Sequence, residues 1–541
     1  ISVYGGGGWG YYVIPTFEAV AANDFSVSED IDDISGWWWL VGAEDGLPGN
    51  SVFCMTQDRR GFLWIGTFSG LSRYDGDSFT NYRPRPGSGS LASSLIFAVL
   101  EDSRGTIWVG TDGGGLSRYD PSGDLFSTFR AGGPGGLNSD RILALAEDGE
   151  GAVLTDIDDN TYDDFCLGDT PGMFGHGRPE IARAIAEQAR RGATFMLPTA
   201  GAAEVGALLA ERFGLPFWQT TLSASDANRA VIRWARAVTG KSVIVVFDGC
   251  YHGMVEDCFV ELRHGRTRPD AGLIGQVFDM TRTTRAVPFN DIGALEAALA
   301  QQDVAAIIAE PAMTNCGMIL PEPNFWKRAQ ALAKKAGVLL VLDETHTLSS
   351  GPGGATTAWG LAPDALVVGK AIAGGFPAAV WGVSAELAER IAAVPRGSGR
   401  SGIGTTLAGN AMGIAAIGAT LRAIATPEAY EVMLKGAEEL VGKLRGVIAT
   451  RALPWCVVHV GARAEIVFAP QAPKDAAAMK PALAQTELNH ALHLYLINRG
   501  VLIAPFHMMM LVSPATTTQQ IDRLVAAVDS FAEEYAKEAA A

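Results

Sequence analysis

The sequence predicts an α/β fold with a mostly parallel sheet over its middle and C-terminal thirds, preceded by short, repeated β-strands. Three observations carry this. All-apolar runs too short for typical helices alternate with stretches of helical periodicity. Several of those runs end on an ionisable or glycine-flanked residue, as buried strands do where they open onto a site. The N-terminal quarter repeats itself at a period of about 44 to 45 residues.

Taken in order, residues 1–43 hold a glycine run and Trp37-Trp38-Trp39 and match no pattern. Residues 44–151 read as partial propeller-like repeats. Arg60-Gly61-Phe62-Leu63-Trp64-Ile65-Gly66-Thr67 recurs as Arg104-Gly105-Thr106-Ile107-Trp108-Val109-Gly110-Thr111, and Gly70-Leu71-Ser72-Arg73-Tyr74-Asp75 recurs as Gly115-Leu116-Ser117-Arg118-Tyr119-Asp120. Short alternating strands, glycine turns and one tryptophan per unit suggest β-propeller blades, and the units resemble two-component regulator propeller repeats. A third unit starts at Leu137-Asn138-Ser139 and puts Leu154 where its tryptophan belongs. About two and a half blades cannot close a ring, so this segment is expected to be an appendage or a gene-assembly artefact rather than a closed propeller.

From about Thr155 the rhythm changes. Thr155–Phe165 reads as the turn and strand that open the next domain. Ser223-Ala224-Ser225-Asp226-Ala227-Asn228 places small polar residues where a helix begins, with Ala227, Val231, Trp234 and Val238 at helical spacing behind them. Exposed N–H groups and the helix dipole suit an anion there, and Ser225 adds a hydroxyl; a simple N-cap is the alternative. Val243–Phe247 is a buried strand leading into Gly249-Cys250-Tyr251-His252-Gly253, where glycines allow close backbone approach and Tyr251 offers a flat face. Val304–Ala309 is a second strand, followed by a helix over 322–336 stopped by Gly337. Val338–Leu342 then delivers Asp343, and Ala365–Val368 delivers Lys370 through Gly369. A lysine in a desolvated place favours the neutral, nucleophilic amine. An aspartate beside it suits a protonated heteroaromatic nitrogen, although two strand-end charges facing solvent are an equal reading of these runs taken alone. Residues 152–434 are read as a large domain and 435–541 as a smaller α+β domain, closed by a helix with Ile521, Leu524, Val525, Val528 and Phe531 on one face.

The ordered motifs Ser-Ala-Ser-Asp-Ala (223–227), Gly-Cys-Tyr-His-Gly (249–253), Ala-Glu-Pro (309–311), Leu-Asp-Glu-Thr (342–345), Gly-Lys-Ala-Ile-Ala-Gly-Gly (369–375) and Gly-Thr-Thr-Leu-Ala-Gly-Asn (404–410) resemble the class III aminotransferases, which use pyridoxal 5'-phosphate. Within them they look most like the branch of glutamate-1-semialdehyde aminomutase and the β-amino-acid transaminases. The resemblance implies a fold type I transferase in which Lys370 forms the Schiff base with the cofactor, Asp343 pairs with the pyridine nitrogen and Tyr251 stacks on the ring. Ala224 and Ser225 would hold the phosphate, Thr345 would stand where the family packs a valine on the ring's far face, and Glu310 would line the pocket. It also implies a homodimer in which Thr406 reaches the partner's cofactor, and a ping-pong transamination between an amino donor and a keto-acid acceptor. An aminomutase is the alternative. The chain departs from the family's Ser-Gly-Thr-Glu-Ala phosphate motif, and His346 follows Thr345. His346 is thus a candidate substrate contact, against the commoner role of a satisfied structural histidine.

Composition sets limits on partners. The chain has 541 residues, a formal net charge of −17, 48% hydrophobic and 19% charged residues, which fits a globular protein and argues against nucleic-acid or anionic-membrane partners. Six cysteines lack Cys-x-x-Cys spacing, so neither a metal site nor a disulfide framework is indicated and a reducing cytoplasm fits. No uninterrupted apolar run has membrane-spanning length, and the start lacks a signal-peptide pattern. A carboxylate-bearing substrate wants an arginine, for which Arg463 is the candidate against a surface or interdomain ion pair. Pro505-Phe506-His507-Met508-Met509-Met510 suits either an apolar pocket or a core. A reading from another class, a propeller-based sensing module with an inert enzyme domain, conflicts with the presence of Lys370, Asp343 and Tyr251 together.

Overall fold

The structure, a computed structural model, describes residues 13–15, 38–40, 46–49, 52–76, 78–85, 89–101, 105–111, 113–130, 148–155, 160–395, 402–504 and 507–539. The glycine run, Trp37, the third repeat unit over 137–147, and Pro505 and Phe506 lie outside the described residues. The chain divides into two compact units, one of residues 1–148 with 155–161, the other of 149–154 with 162–541.

In the first unit each complete sequence repeat becomes one four-stranded antiparallel sheet, Val52–Gln57 to Phe79–Tyr82 and Ile96–Glu101 to Leu125–Phe129. The repeated residues do the same work in both. Thr67 Oγ1 donates to Gly70 O at 2.8 Å and Thr111 Oγ1 to Gly115 O at 2.9 Å, each closing the turn between the second and third strands. Trp64 is fully buried, and its indole N–H is satisfied by Asp58 Oδ2 at 3.0 Å, the condition for burying a tryptophan without losing a hydrogen bond. It joins Leu71, Leu91, Ile96, Val109 and Phe126 in a core common to both sheets.

The second unit is built on a seven-stranded sheet in the spatial order Phe217–Thr221, Ala379–Val383, Ala365–Val368, Leu339–Asp343, Val304–Ala309, Val243–Phe247, Thr284–Val287. Ala379–Val383 runs antiparallel to both neighbours and the other pairings are parallel. Every residue of its five central strands is buried, which is why those strands read as continuous apolar runs rather than alternating ones. The helix expected over 322–336 begins at Phe325 instead, because Asn324 adopts φ +66 just before it; it ends as expected on Gly337, φ +63. The anion-site helix runs Ala224–Thr239 with Ser223 as its N-cap.

Residues 149–151, read as the end of the repeats, group with 152–154 in the second unit: Gly151 and His176 exchange backbone hydrogen bonds at 3.1 and 2.8 Å, and Gln520 Nε2 donates to Ala152 O at 3.1 Å. The strand Thr161–Asp164, read as opening the large domain, pairs in parallel with Val501–Leu502 of the C-terminal segment. Phe165 is accordingly buried among Leu440, Leu492, Val501 and Leu524. The rest of the C-terminal part is the α+β layer expected: an antiparallel sheet of Cys456–Val460, Arg463–Val467 and Met509–Leu511 against the helices Pro427–Thr450 and Thr518–Ala539. Met508, Met509 and Met510 are buried in hydrophobic clusters, the core-filling role of a methionine run. No disulfide joins the cysteines. Among the described residues no helix is long and apolar enough to cross a membrane.

Candidate active site

Four parallel strands end at one cavity, and each contributes a residue just past its carboxyl end. Val243–Phe247 leads to Tyr251, His252 and Gly253; Val304–Ala309 to Glu310; Leu339–Asp343 to Asp343, Thr345 and His346; and Ala365–Val368 to Lys370. The helix start Ser223-Ala224-Ser225 closes another side, and Pro171, Asn315 and Phe376 complete a space of about 300 Å³. Parallel strands all point the same way, so residues over a hundred positions apart in sequence converge there.

Lys370 is the amine of this cavity, held at φ +48 immediately after Gly369. Its Nζ lies 2.5 Å from Asp169 Oδ2 and 2.7 Å from His346 Nε2. Burial pushes its pKa down; the Asp169 carboxylate pulls it partly back, and the net position is below the ordinary lysine value. Asp169 itself sits in a strained turn, with Leu167, Asp169 and Thr170 all at positive φ (49, 57 and 96). Such strain is characteristic of sites where geometry is dictated by function.

Asp343 is buried and surrounded by donors. Asn228 Nδ2 and His252 Nδ1 lie 2.8 and 3.0 Å from its Oδ2, and the Thr345 N–H donates to Oδ1 at 3.1 Å. Burial alone would raise this carboxyl, but His252, Thr345 and Asn228 outweigh it and hold the group below the usual carboxylate range. The next residue, Glu344, is structural: its carboxylate accepts from Thr347 Oγ1, Ala355 N and Thr356 N, tying the turn after the strand to the helix Gly354–Ala358.

The anion cradle is shaped by absent side chains. A Cβ on Gly253 would lie 2.0 Å from Ser225 Oγ, at φ +78, and a Cβ on Gly369 would lie 2.8 Å from that of Ala224. Ser225 Oγ accepts the Met254 N–H at 3.0 Å, which leaves its own proton to donate into the cavity. Gly253→Ala should therefore displace Ser225 and weaken binding of a phosphate-bearing ligand about tenfold or more, since a positive φ alone costs a residue with a Cβ roughly 1–2 kcal/mol. Calorimetric titration with pyridoxal phosphate against wild type reads the change.

These residues fit pyridoxal phosphate. A helix start with free hydroxyl and amide donors suits its phosphate, a charged buried carboxylate suits a protonated ring nitrogen, and a lysine with a lowered pKa suits its aldehyde. Thr345 Oγ1 and His252 Nε2 are buried at the cavity without a hydrogen-bond partner, as polar atoms awaiting a ligand are.

Lys370, Asp343, Tyr251, Ala224, Ser225, Thr345, Glu310 and His346 are thus brought together. Two candidates are not. Thr406 is exposed and outside the cavity. Arg463 is fully buried, contrary to a surface ion pair, and does not line the cavity; its guanidinium donates to Thr170 Oγ1, while Nε and Nη1 have no partner. Sequence reasoning missed Asp169, Asn228, His252 and Thr314. Asn228 and His252 lay inside quoted motifs without a role; Asn228, four positions after Ala224, shares its helix face, and that was the available clue. Nothing local marked Asp169 or Thr314.

The family described as Aminotransferase class-III matches residues 136–531, and Two component regulator propeller matches 46–69 and 90–113. A glutamate-1-semialdehyde 2,1-aminomutase of Roseiflexus castenholzii is 33% identical over 404 residues, covering 71% of this chain and 90% of the relative. A solved glutamate-1-semialdehyde-aminomutase from Pseudomonas aeruginosa PAO1 superimposes with a TM-score of 0.70 at 46% identity, covering 72% of this chain and 88% of that one; a variant of it was solved with PMP. A β-phenylalanine aminotransferase from Variovorax paradoxus matches with a TM-score of 0.64 at 27% identity, over 72% and 87% of the two chains.

Proposed function

Because this chain belongs to the class III aminotransferases, we propose that it moves an amino group from an amino acid or amine to a keto acid, using Lys370 as both cofactor anchor and general base. The convergence of Lys370, Asp343 and Tyr251 on one cavity carries this reading. Bound pyridoxal phosphate supplies an electron sink for the negative charge that develops at the donor carbon. The rest is the work of the chain. Asp343 would keep a negative charge beside the ring nitrogen, Tyr251 would offer its ring face, and Ser225 with the helix start would hold the phosphate. Lys370 would hold the cofactor's aldehyde and, as the free amine, would take the proton from the donor carbon, which a lowered pKa favours.

Both half-reactions use the same cavity, so a transaminase shows ping-pong kinetics, with parallel lines in double-reciprocal plots at several acceptor concentrations. The likeness to glutamate-1-semialdehyde aminomutases supports the second reading, in which nitrogen returns to the same carbon skeleton. A panel of amino donors with pyruvate or 2-oxoglutarate separates them. Donor consumption is expected to depend on added acceptor; isomerisation of one substrate with no acceptor present would establish the aminomutase, and neither outcome would refute both. Arg463, with two unpaired nitrogens behind the Asp169 turn, is proposed to meet a substrate carboxylate if that turn moves. The exposed Thr406 fits a homodimer in which it reaches the partner's phosphate. The cytoplasm is the compartment proposed.

A further inference from the structure

A buried chain of hydrogen bonds leads away from Lys370. Its Nζ lies 2.7 Å from His346 Nε2, His346 Nδ1 lies 2.5 Å from Thr314 Oγ1, and Thr314 Oγ1 donates to Glu310 Oε2 over 2.5 Å. His346, Thr314 and Glu310 are 5%, 1% and 4% exposed, so bulk water does not interrupt the chain. Asn315 Nδ2 fixes the far end by donating to Glu310 Oε1 at 3.2 Å.

Counting protons gives the chain a direction. The Thr314 hydroxyl has one hydrogen, and it goes to Glu310, so the short contact with His346 requires Nδ1–H as donor. That tautomer leaves Nε2 as a bare acceptor facing the lysine. We propose that His346, Thr314 and Glu310 form a proton relay that discharges the Lys370 ammonium and so delivers the neutral amine. Three protons each move one place: Lys370 N–H to His346 Nε2, His346 Nδ1–H to Thr314 Oγ1, and Thr314 O–H to Glu310 Oε2. Each transfer breaks one bond to hydrogen and makes one. The lysine ends neutral and Glu310 ends as a carboxylic acid, with no co-reactant.

The surroundings favour that end state. Burial disfavours the charged forms of both terminal groups, pushing Lys370 down and Glu310 up. Burial first, and then the positive charges of Lys370 and Arg463 beside it, hold His346 neutral. Asp169, 2.5 Å from Lys370 on its other side, acts in opposition by stabilising the ammonium. The amine thus stands between a carboxylate that keeps its proton and a chain that accepts it.

The inference rests on Lys370 being the nucleophile of the proposed reaction, and its test is chosen to separate the two. In full-length, cofactor-free protein, the fraction of neutral Lys370 is read as the rate of trace acetylation by acetic anhydride across a pH series, quantified by mass spectrometry. The rate of covalent pyridoxal phosphate incorporation, trapped with borohydride, is measured in parallel. Thr314→Val keeps the shape of the side chain and removes the relay's middle oxygen. It is expected to move the acetylation midpoint up by about one pH unit, a roughly tenfold loss of neutral amine at lower pH, whereas Thr314→Ser stays within about twofold of wild type. His346→Gln should move the midpoint in the same direction, and serves if the valine variant does not fold. A midpoint unchanged in both Thr314→Val and His346→Gln overturns the relay, as does an equal shift in the valine and serine variants, which would mark a packing effect. If the midpoints shift as expected but wild type never incorporates pyridoxal phosphate, the relay stands and the proposed reaction falls.

Discussion

Lys370→Ala is expected to abolish covalent cofactor attachment and to lower turnover by at least about 10²–10⁴-fold, the contribution of a positioned acid–base group, with the loss of the anchor added to it. Lys370 supplies the amine among the residues that line the cavity, so no neighbour can substitute. The fold should survive. Removing the side chain leaves Asp169 without its partner, but that carboxylate is 28% exposed and can hydrate, and the His346 ring keeps Thr314 at its other nitrogen. Alanine also inherits the same φ of +48, so the substitution adds no backbone strain that the wild type lacks. The thermal midpoint is thus expected to stay close to that of wild type while borohydride reduction yields no pyridoxyl adduct. Undiminished adduct would show that another amine anchors the cofactor and would remove the central residue of the proposed reaction.

The contrast between what was and was not legible in the sequence follows the range of the forces involved. Asp343 and Lys370 were readable because each stands at the end of a strand whose residues are all buried, and a continuous apolar run ending on an ionisable residue is a local signal, whereas Glu310 entered only through the resemblance of its Ala-Glu-Pro motif to the family. Ser225 was readable because helix starts have their own chemistry, here Ser223 accepting the Asp226 N–H at 3.2 Å. Asp169 and Thr314 were not. The pairing of Asp169 with Lys370 spans 201 positions, and that of Thr314 with His346 spans 32. Neither residue lies in a run with any period, and both are placed by loops whose course depends on the assembled sheet. His346 was weighed as a structural histidine, which is the commoner case; its contact with the lysine appears only when the strand ends Leu339–Asp343 and Ala365–Val368 are set side by side. The pairing of the strand that opens the large domain was hidden for a related reason. The strand Thr161–Asp164 has nothing local to say that its partner is Val501–Leu502, since parallel pairing leaves no hairpin in the sequence. The two propeller-like sheets were the reverse case, because their pairings are antiparallel between consecutive strands and are spelled out by their turns.

Asp343→Asn is the second substitution expected to have a large effect, and it should act on charge rather than on shape. Three donors converge on the carboxylate, from Asn228, His252 and Thr345. An amide at this position offers one acceptor oxygen and turns an N–H₂ group toward at least one of those donors. The resulting unsatisfied pair costs about 1–3 kcal/mol of stability. The larger loss is functional. Without a negative charge at Asp343, the ring nitrogen of bound pyridoxal phosphate would have nothing to hold its proton, and breaking a buried charge pair of this kind costs about 3–5 kcal/mol, or roughly 10²–10⁴-fold in turnover. The pH dependence of stability separates the charge from the packing. Burial raises the Asp343 carboxyl, but the donors outweigh it and its native value lies below the ordinary one. The stabilisation it provides is therefore fully present above the ordinary carboxylate range, about pH 4, and is lost as pH falls through the lower native value. Urea unfolding of wild type and Asp343→Asn at a series of pH values should show the two curves separated near neutrality and converging in acid, because only the wild type loses this contribution there. A constant offset at every pH would mean that Asp343 acts by its shape alone, and a turnover within about threefold of wild type, far short of the loss of a buried charge pair, would remove the carboxylate from the proposed chemistry.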